Sequence, residues 1–156
     1  MQIWMARHAE AADVDGFGSD AARPLTERGR QQTAELARWL RDRVALPEMI
    51  WHSPLLRARQ TAEAFAAEWP DGPPIQESQV LAPGMSLSEV LEAIRSRTYE
   101  SILCVGHQPD VGECVYQAGG GRVSYSPGTV ACLEFSQLLL PGAARLRWLS
   151  DPNWFA

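Results

Sequence analysis

Four residues of this 156-residue chain could do chemistry together: the adjacent pair Arg7-His8, then Arg57, then His107. A neutral imidazole offers a lone pair that can act as a nucleophile, and a protonated one is a donor. A guanidinium group presents paired N–H donors that match phosphoryl oxygens. Brought together, these groups would form a cationic clamp around a nucleophile. Phosphoryl transfer asks for that arrangement, because charge spread over the equatorial oxygens must be neutralised. Arg7 and Arg57 would keep His8 unprotonated, while a bound phosphate would favour a protonated His107. No metal or other cofactor is called for.

The apolar pattern indicates how positions so far apart could meet. Ile3 to Met5 breaks at once into Ala6-Arg7-His8, as a short buried strand delivering polar groups at its end would. Glu48 to His52 reads as a second strand, after which Ser53-Pro54 supplies a helix N-cap and a proline suited to the first helical position. Arg57 then falls in the first turn. Ala58, Ala62, Phe65 and Trp69 make that helix's inward stripe and leave Arg59 and Glu63 outward. Ser101 to Val105 is the clearest buried strand, and Gly106-His107-Gln108-Pro109 turns it into a helix that stops at Gly119-Gly120-Gly121.

Further elements complete the pattern. Thr26 caps a helix running to about Val44, with Leu36, Ala37, Leu40 and Val44 on one face. A strand near Ile75 to Val80 precedes a helix from about Ser86 to Arg97, and Thr129 to Phe135 with Ala144 to Leu149 suggests a closing hairpin. Strands alternating with helices predict an α/β fold, a three-layer α/β/α sandwich with a mainly parallel central sheet, as one domain over residues 1–156. Ligands in such sheets sit beyond the carboxyl ends of the strands. Arg7-His8, Arg57 and His107 all fall there. Ala11 to Leu25 has no period and is read as a lid or binding loop, within which Arg23 is either a further substrate contact or a loop charge.

Composition sets limits. A net charge of -5 argues against an extended nucleic-acid surface. No apolar run approaches the roughly 18 residues of a membrane span. The opening Met-Gln-Ile-Trp-Met-Ala-Arg-His lacks the parts of a signal peptide, so a cytoplasmic protein is expected. Cys104, Cys114 and Cys132 are odd in number, form no Cys-x-x-Cys pair and lie among apolar residues, which suits a reducing compartment and a place in the core.

The residues resemble the histidine phosphatase superfamily, of phosphoglycerate-mutase-like fold, and especially its small bacterial SixA-like members. The likeness rests on Met5-Ala6-Arg7-His8-Ala9-Glu10-Ala11, on Arg23-Pro24-Leu25-Thr26 with Gly29, on Ser53-Pro54-Leu55-Leu56-Arg57-Ala58 with Gln60-Thr61, and on Val105-Gly106-His107-Gln108-Pro109. It implies that His8 is the phosphorylated nucleophile and that Arg7, Arg57 and His107 bind the phosphoryl group. Two departures stand out. The family's Arg-His-Gly is here Arg7-His8-Ala9, so the turn must tolerate a methyl group. No motif supplies the acid that larger members use to protonate an alcohol leaving group, although Glu77 and Glu89 flank the expected region. Phosphohistidine, whose imidazole leaves with less help, is the substrate this favours, presented by a phosphorylated histidine-containing protein, with inorganic phosphate as product.

Other readings are weaker. Asp13-Val14-Asp15 has the spacing of a metal-dependent aspartyl phosphatase but no hydrophobic strand before it, so loop solvation is preferred. No cysteine is followed by arginine as a cysteine phosphatase needs. Gly119 to Gly121 with Arg122 could form an anion nest, though a helix stop is the stronger reading, and His52 is assigned to packing or surface. A phosphatase or mutase for a small phosphorylated metabolite, and a non-catalytic phosphate-binding module, remain as alternative functions.

Overall fold

A computed structural model describes residues 1–155. Strands β1 (Gln2–Arg7), β2 (Met49–His52), β3 (Ile75–Glu77), β4 (Ser101–Gly106), β5 (Val130–Phe135) and β6 (Ala144–Ser150) form a sheet of order β3-β2-β4-β1-β5-β6. The first four strands of that order run parallel, β5 pairs antiparallel to β1, and β6 pairs antiparallel to β5. Helices α1 (Glu27–Arg41) and α2 (Leu56–Glu68) cover one face, and α3 (Leu87–Arg95) and α4 (Asp110–Val115) the other.

The two-residue period of the strands divides the core between these faces. Trp4, Ala6, Leu103, Val105, Val130 and Cys132 point toward α1 and α2, while Ile3, Met5, Ile102, Cys104, Ala131 and Leu133 point toward α3 and α4. The stripe Ala58, Ala62, Phe65 and Trp69 is buried as expected, and so are Leu87, Val90, Leu91 and Ile94 of α3. All three cysteines are buried and free. Burial pushes the Cys114 and Cys132 thiols up to about 12, so neither offers a thiolate.

Register places the chemistry. Arg7 pairs with Gly106 across β1 and β4, and His52 pairs with Val105 across β2 and β4. The pairing runs one residue further on each side: the His8 amide donates to the Gly106 carbonyl and the Ser53 amide to the Val105 carbonyl, both at 3.0 Å. Three neighbouring strands thus end level and release His8, Ser53 and His107 at the same edge.

Several boundaries differ from expectation. Ser53 is not the N-cap of α2, and Pro54 is not its first helical residue; the helix starts at Leu56, with Leu55 at the cap and no side-chain cap bond. The cause is that the Ser53 amide is still bonded to the Val105 carbonyl of β4, which delays the turn. Thr26 does cap α1, its Oγ1 accepting the Gly29 amide at 2.9 Å, but α1 ends at Arg41 before the exposed Asp42, and Val44 packs on the core from beyond the helix. The expected strand to Val80 ends at Glu77 and passes into a 3-10 turn that inserts Leu81 into the core.

Candidate active site

Helix α2 organises the site. Arg57, Gln60 and Thr61 stand at i, i+3 and i+4 and so share a face. Thr61 Oγ1 donates to the Arg57 carbonyl at 2.7 Å and accepts the Ala9 amide at 3.0 Å, tying the segment after β1 to the helix. Gln60 Oε1 accepts the Leu25 amide at 2.8 Å and ties down the end of the long loop. Gly29 is required by close approach: a Cβ there would lie 2.3 Å from the Glu10 carbonyl oxygen.

His8 is held with one ring nitrogen free of a proton. Its Nδ1 lies 2.8 Å from the Ala9 carbonyl, an acceptor, so Nδ1 carries the hydrogen and Nε2 the lone pair. Arg57 Nε donates to that lone pair at 3.2 Å. Burial pushes the His8 pKa down to about 3, helped by His107, Arg57 and Arg7 and opposed by the Ala9 hydrogen bond. The expected effect of the arginines is present, but desolvation is the larger cause.

The other groups surround this ring. The His107 ring centroid is 5.2 Å from that of His8, and its Nε2 is 2.7 Å from Ser53 Oγ. Arg7 Nη1 donates to the Tyr125 carbonyl at 2.9 Å, and the Tyr125 hydroxyl in turn donates to the Met5 carbonyl. Arg7 Nε and His107 Nδ1 are both buried without a partner. Two orphaned nitrogens on adjacent strand ends are unusual, because buried polar groups normally find partners, and an oxyanion would supply them. Burial and Arg57 push His107 down to about 4 against the pull of Asp110 and Asp20. In the free protein His107 is therefore neutral; the expectation of a protonated His107 applies to the phosphate-bound state.

The long loop folds onto the cluster through Asp20. The backbone carbonyl and Oδ2 of Asp20 accept from Arg57 Nη1 and Nη2 at 2.8 and 3.0 Å, and its Oδ1 accepts from Arg23 Nη1 at 2.9 Å. Arg23 itself is anchored by donating from Nε to the Ala12 carbonyl at 2.6 Å. Arg23 thus joins the cluster through Asp20 rather than by touching His8. Its hydrogen bond, with that of Arg57, holds the Asp20 carboxyl below its ordinary range.

These residues can be set beside known proteins. The model of the histidine phosphatase superfamily (branch 1) matches residues 3–82. The phosphohistidine phosphatase SixA of Escherichia coli K12 is 33% identical over 161 residues, covering 97% of this chain and 94% of its own. The chain belongs to the histidine phosphatase superfamily. An uncharacterized protein of Picosynechococcus sp. is 42% identical over 158 residues, covering 99% of this chain and 94% of its own. A structure of the protein histidine phosphatase SixA complexed with tungstate superposes with a TM-score of 0.87 at 26% identity, covering 100% of each chain. The fold is accordingly that of the phosphoglycerate-mutase-like histidine phosphatases, and the class of activity is that of a phosphatase.

Within this histidine phosphatase, Ala9 in place of the family glycine causes no strain: among the described residues the one non-glycine with positive φ is Asp71. Glu77 and Glu89 do not join the cluster; the first accepts from Gln79 and the second from Ser86. His52 is buried, its Nδ1 facing the Ser53 carbonyl at 2.7 Å, which is a packing role. Asp13 and Asp15 are exposed, and Arg122 lies over the Tyr116 ring at 4.1 Å. Among the described residues no group of three or more His, Cys, Asp or Glu could hold a metal ion, and no helix is long and apolar enough to cross a membrane. Sequence reasoning missed Asp20 and gave Ser53 the wrong task. Asp20 could have been noticed three residues before Arg23, the spacing of one helical turn.

Proposed function

We propose that this chain is a phosphohistidine phosphatase acting on signalling or phosphotransfer proteins through a phospho-His8 intermediate. The observation that carries this reading is the His8 ring, pinned at Nδ1, with its Nε2 lone pair facing Arg57 in a cluster of cationic donors. His8 Nε2 attacks phosphorus in line, and the bond from phosphorus to the substrate imidazole breaks, its electrons leaving with that ring, which takes a proton from solvent. Arg7, Arg57 and His107 bind the three phosphoryl oxygens. Water then attacks the phosphorus of phospho-His8, the bond to Nε2 breaks with its electrons returning to that nitrogen as the lone pair, the water's proton passes to solvent, and inorganic phosphate is released.

The leaving group follows from what surrounds the cluster. Among the described residues Asp20 is the carboxyl group bonded to it, and Arg23 and Arg57 hold that carboxyl below the ordinary aspartate range, which favours its charged form and makes it unfit to protonate an alkoxide. Imidazole leaves with less help. The relatives named SixA support the same substrate. Three buried free thiols suit a reducing compartment, and we place the protein in the cytoplasm.

A single-turnover experiment with a labelled phosphohistidine protein and with a small phosphomonoester tests this. The expected result is label trapped on His8 from the phosphohistidine protein and then released as phosphate. Faster turnover of the phosphomonoester would assign the site to a small metabolite. Binding with no trapped label would make it a recognition module.

A further inference from the structure

Ser53 is fully buried, with 0% exposure, between β2 and α2. Its hydroxyl has two hydrogen-bond partners among the described residues, one a backbone amide and one a side chain. Ser53 Oγ accepts the Leu55 amide at 3.3 Å and lies 2.7 Å from His107 Nε2. A hydroxyl has one hydrogen to donate. The Leu55 amide is itself a donor and cannot receive it, so His107 Nε2 is the acceptor left for it. Were the proton on Nε2 instead, the serine O–H would be buried with nowhere to point, a costly state.

This assignment leaves the His107 proton on Nδ1, the nitrogen that is buried without a partner. A bare lone pair there would repel a phosphoryl oxygen, whereas an N–H is what such an oxygen needs. We propose that Ser53 is a positioning residue that holds His107 in its Nδ1–H tautomer, so that a neutral imidazole donates to the phosphoryl group. The proposal rests on the reading of the cluster as a phosphoryl site. The chain of donors runs from the Leu55 amide through the Ser53 hydroxyl to His107 and ends on substrate. It couples the start of α2, which also carries Arg57, to a histidine delivered by β4. Neutrality of His107 in the free protein, set by burial and Arg57 against Asp110 and Asp20, suits a donor of this kind.

The test uses the full chain with ¹⁵N-labelled histidine, observed at pH 7.5 without ligand and then with inorganic phosphate. The wild-type His107 signals are expected to show a proton-bearing Nδ1 and an unprotonated Nε2, and phosphate is expected to move the Nδ1 signal. Ser53→Ala should lose the fixed tautomer and weaken phosphate binding by about tenfold, while Ser53→Thr, which keeps the hydroxyl, should restore both. A wild-type proton on Nε2 would overturn the proposal, as would a Ser53→Ala variant with tautomer and phosphate affinity unchanged. If Ser53→Ala does not fold, the wild-type spectrum decides by itself. Phosphate that moves neither the His8 nor the His107 signals would overturn the phosphoryl-site reading, and the proposal with it, whatever the tautomer.

Discussion

Which nitrogen of His8 keeps its lone pair is set by a contact one residue away. The Ala9 carbonyl takes the Nδ1 hydrogen, and Nε2 is left to face Arg57. His8→Ala should abolish turnover and labelled phospho-enzyme while keeping phosphate binding. Arg57→Ala should lose affinity too and lower kcat/KM by about 10²- to 10³-fold, as removal of a donor from charge developing in the transition state does. Steady-state kinetics together with phosphate titration separate the two variants. The pH profile belongs to the same scale. His8 is pushed down to about 3 and His107 to about 4, so neither gains a proton as pH falls from 8 to 5. The acid limb of kcat/KM, measured with a substrate that does not titrate in this range, should therefore fall below pH 5 and not near the ordinary imidazole value. At this scale the sequence was informative: Arg7, His8, Arg57 and His107 could be named from residue type and placement. The tautomers could not, because they depend on the Ala9 carbonyl and the Ser53 hydroxyl.

Besides α2, two elements hold the site's geometry, the N-terminus of α1 and the loop before it. Gly29 sits where the first turn of α1 presses on the Glu10 backbone, and Gly29→Ala would force a methyl to within 2.3 Å of a carbonyl oxygen. The chain must shift there, and a loss of about 1–3 kcal/mol in urea denaturation is expected. The loop is held differently, by the half-exposed Asp20 carboxylate lying on buried Arg57. On the proposed function a phosphoryl oxygen would compete with that carboxylate for the same guanidinium. Asp20→Ala should tighten phosphate binding by up to about fivefold, the equivalent of about 1 kcal/mol for an ion pair with one exposed partner. Limited proteolysis of the same variant should cut residues 13–22 faster. The helical stripes of α2 and α3 were legible because periodicity reports burial directly. The start of α2 was misread because Ser53-Pro54 has the composition of a helix cap, and only the bond from the Ser53 amide to β4 keeps the helix from starting there.

For the molecule as a whole, burying two neutral histidines links stability to pH. In the unfolded chain both take up protons near pH 6.5, while in the fold they resist until about 3 and 4. Between those limits the unfolded state binds more protons, so stability is fully present above pH 6.5 and is lost as pH falls. The urea midpoint should be lower at pH 5 than at pH 7, and the difference should shrink in a His8→Ala/His107→Ala double variant. An α/β sandwich with a mainly parallel sheet could be read from the alternation of strands and helices, since each local pattern answers to a simple period. The same sequence named the cationic residues and the loop that accompanies them, because their chemistry is intrinsic to the side chains. Only the tertiary structure decided that Asp20 lies on Arg57, that Ser53 serves His107 and not a helix cap, and that Glu77 and Glu89 stand apart. Those contacts join residues 37 and 54 positions apart, and no local pattern encodes a distance that strand order and register alone create.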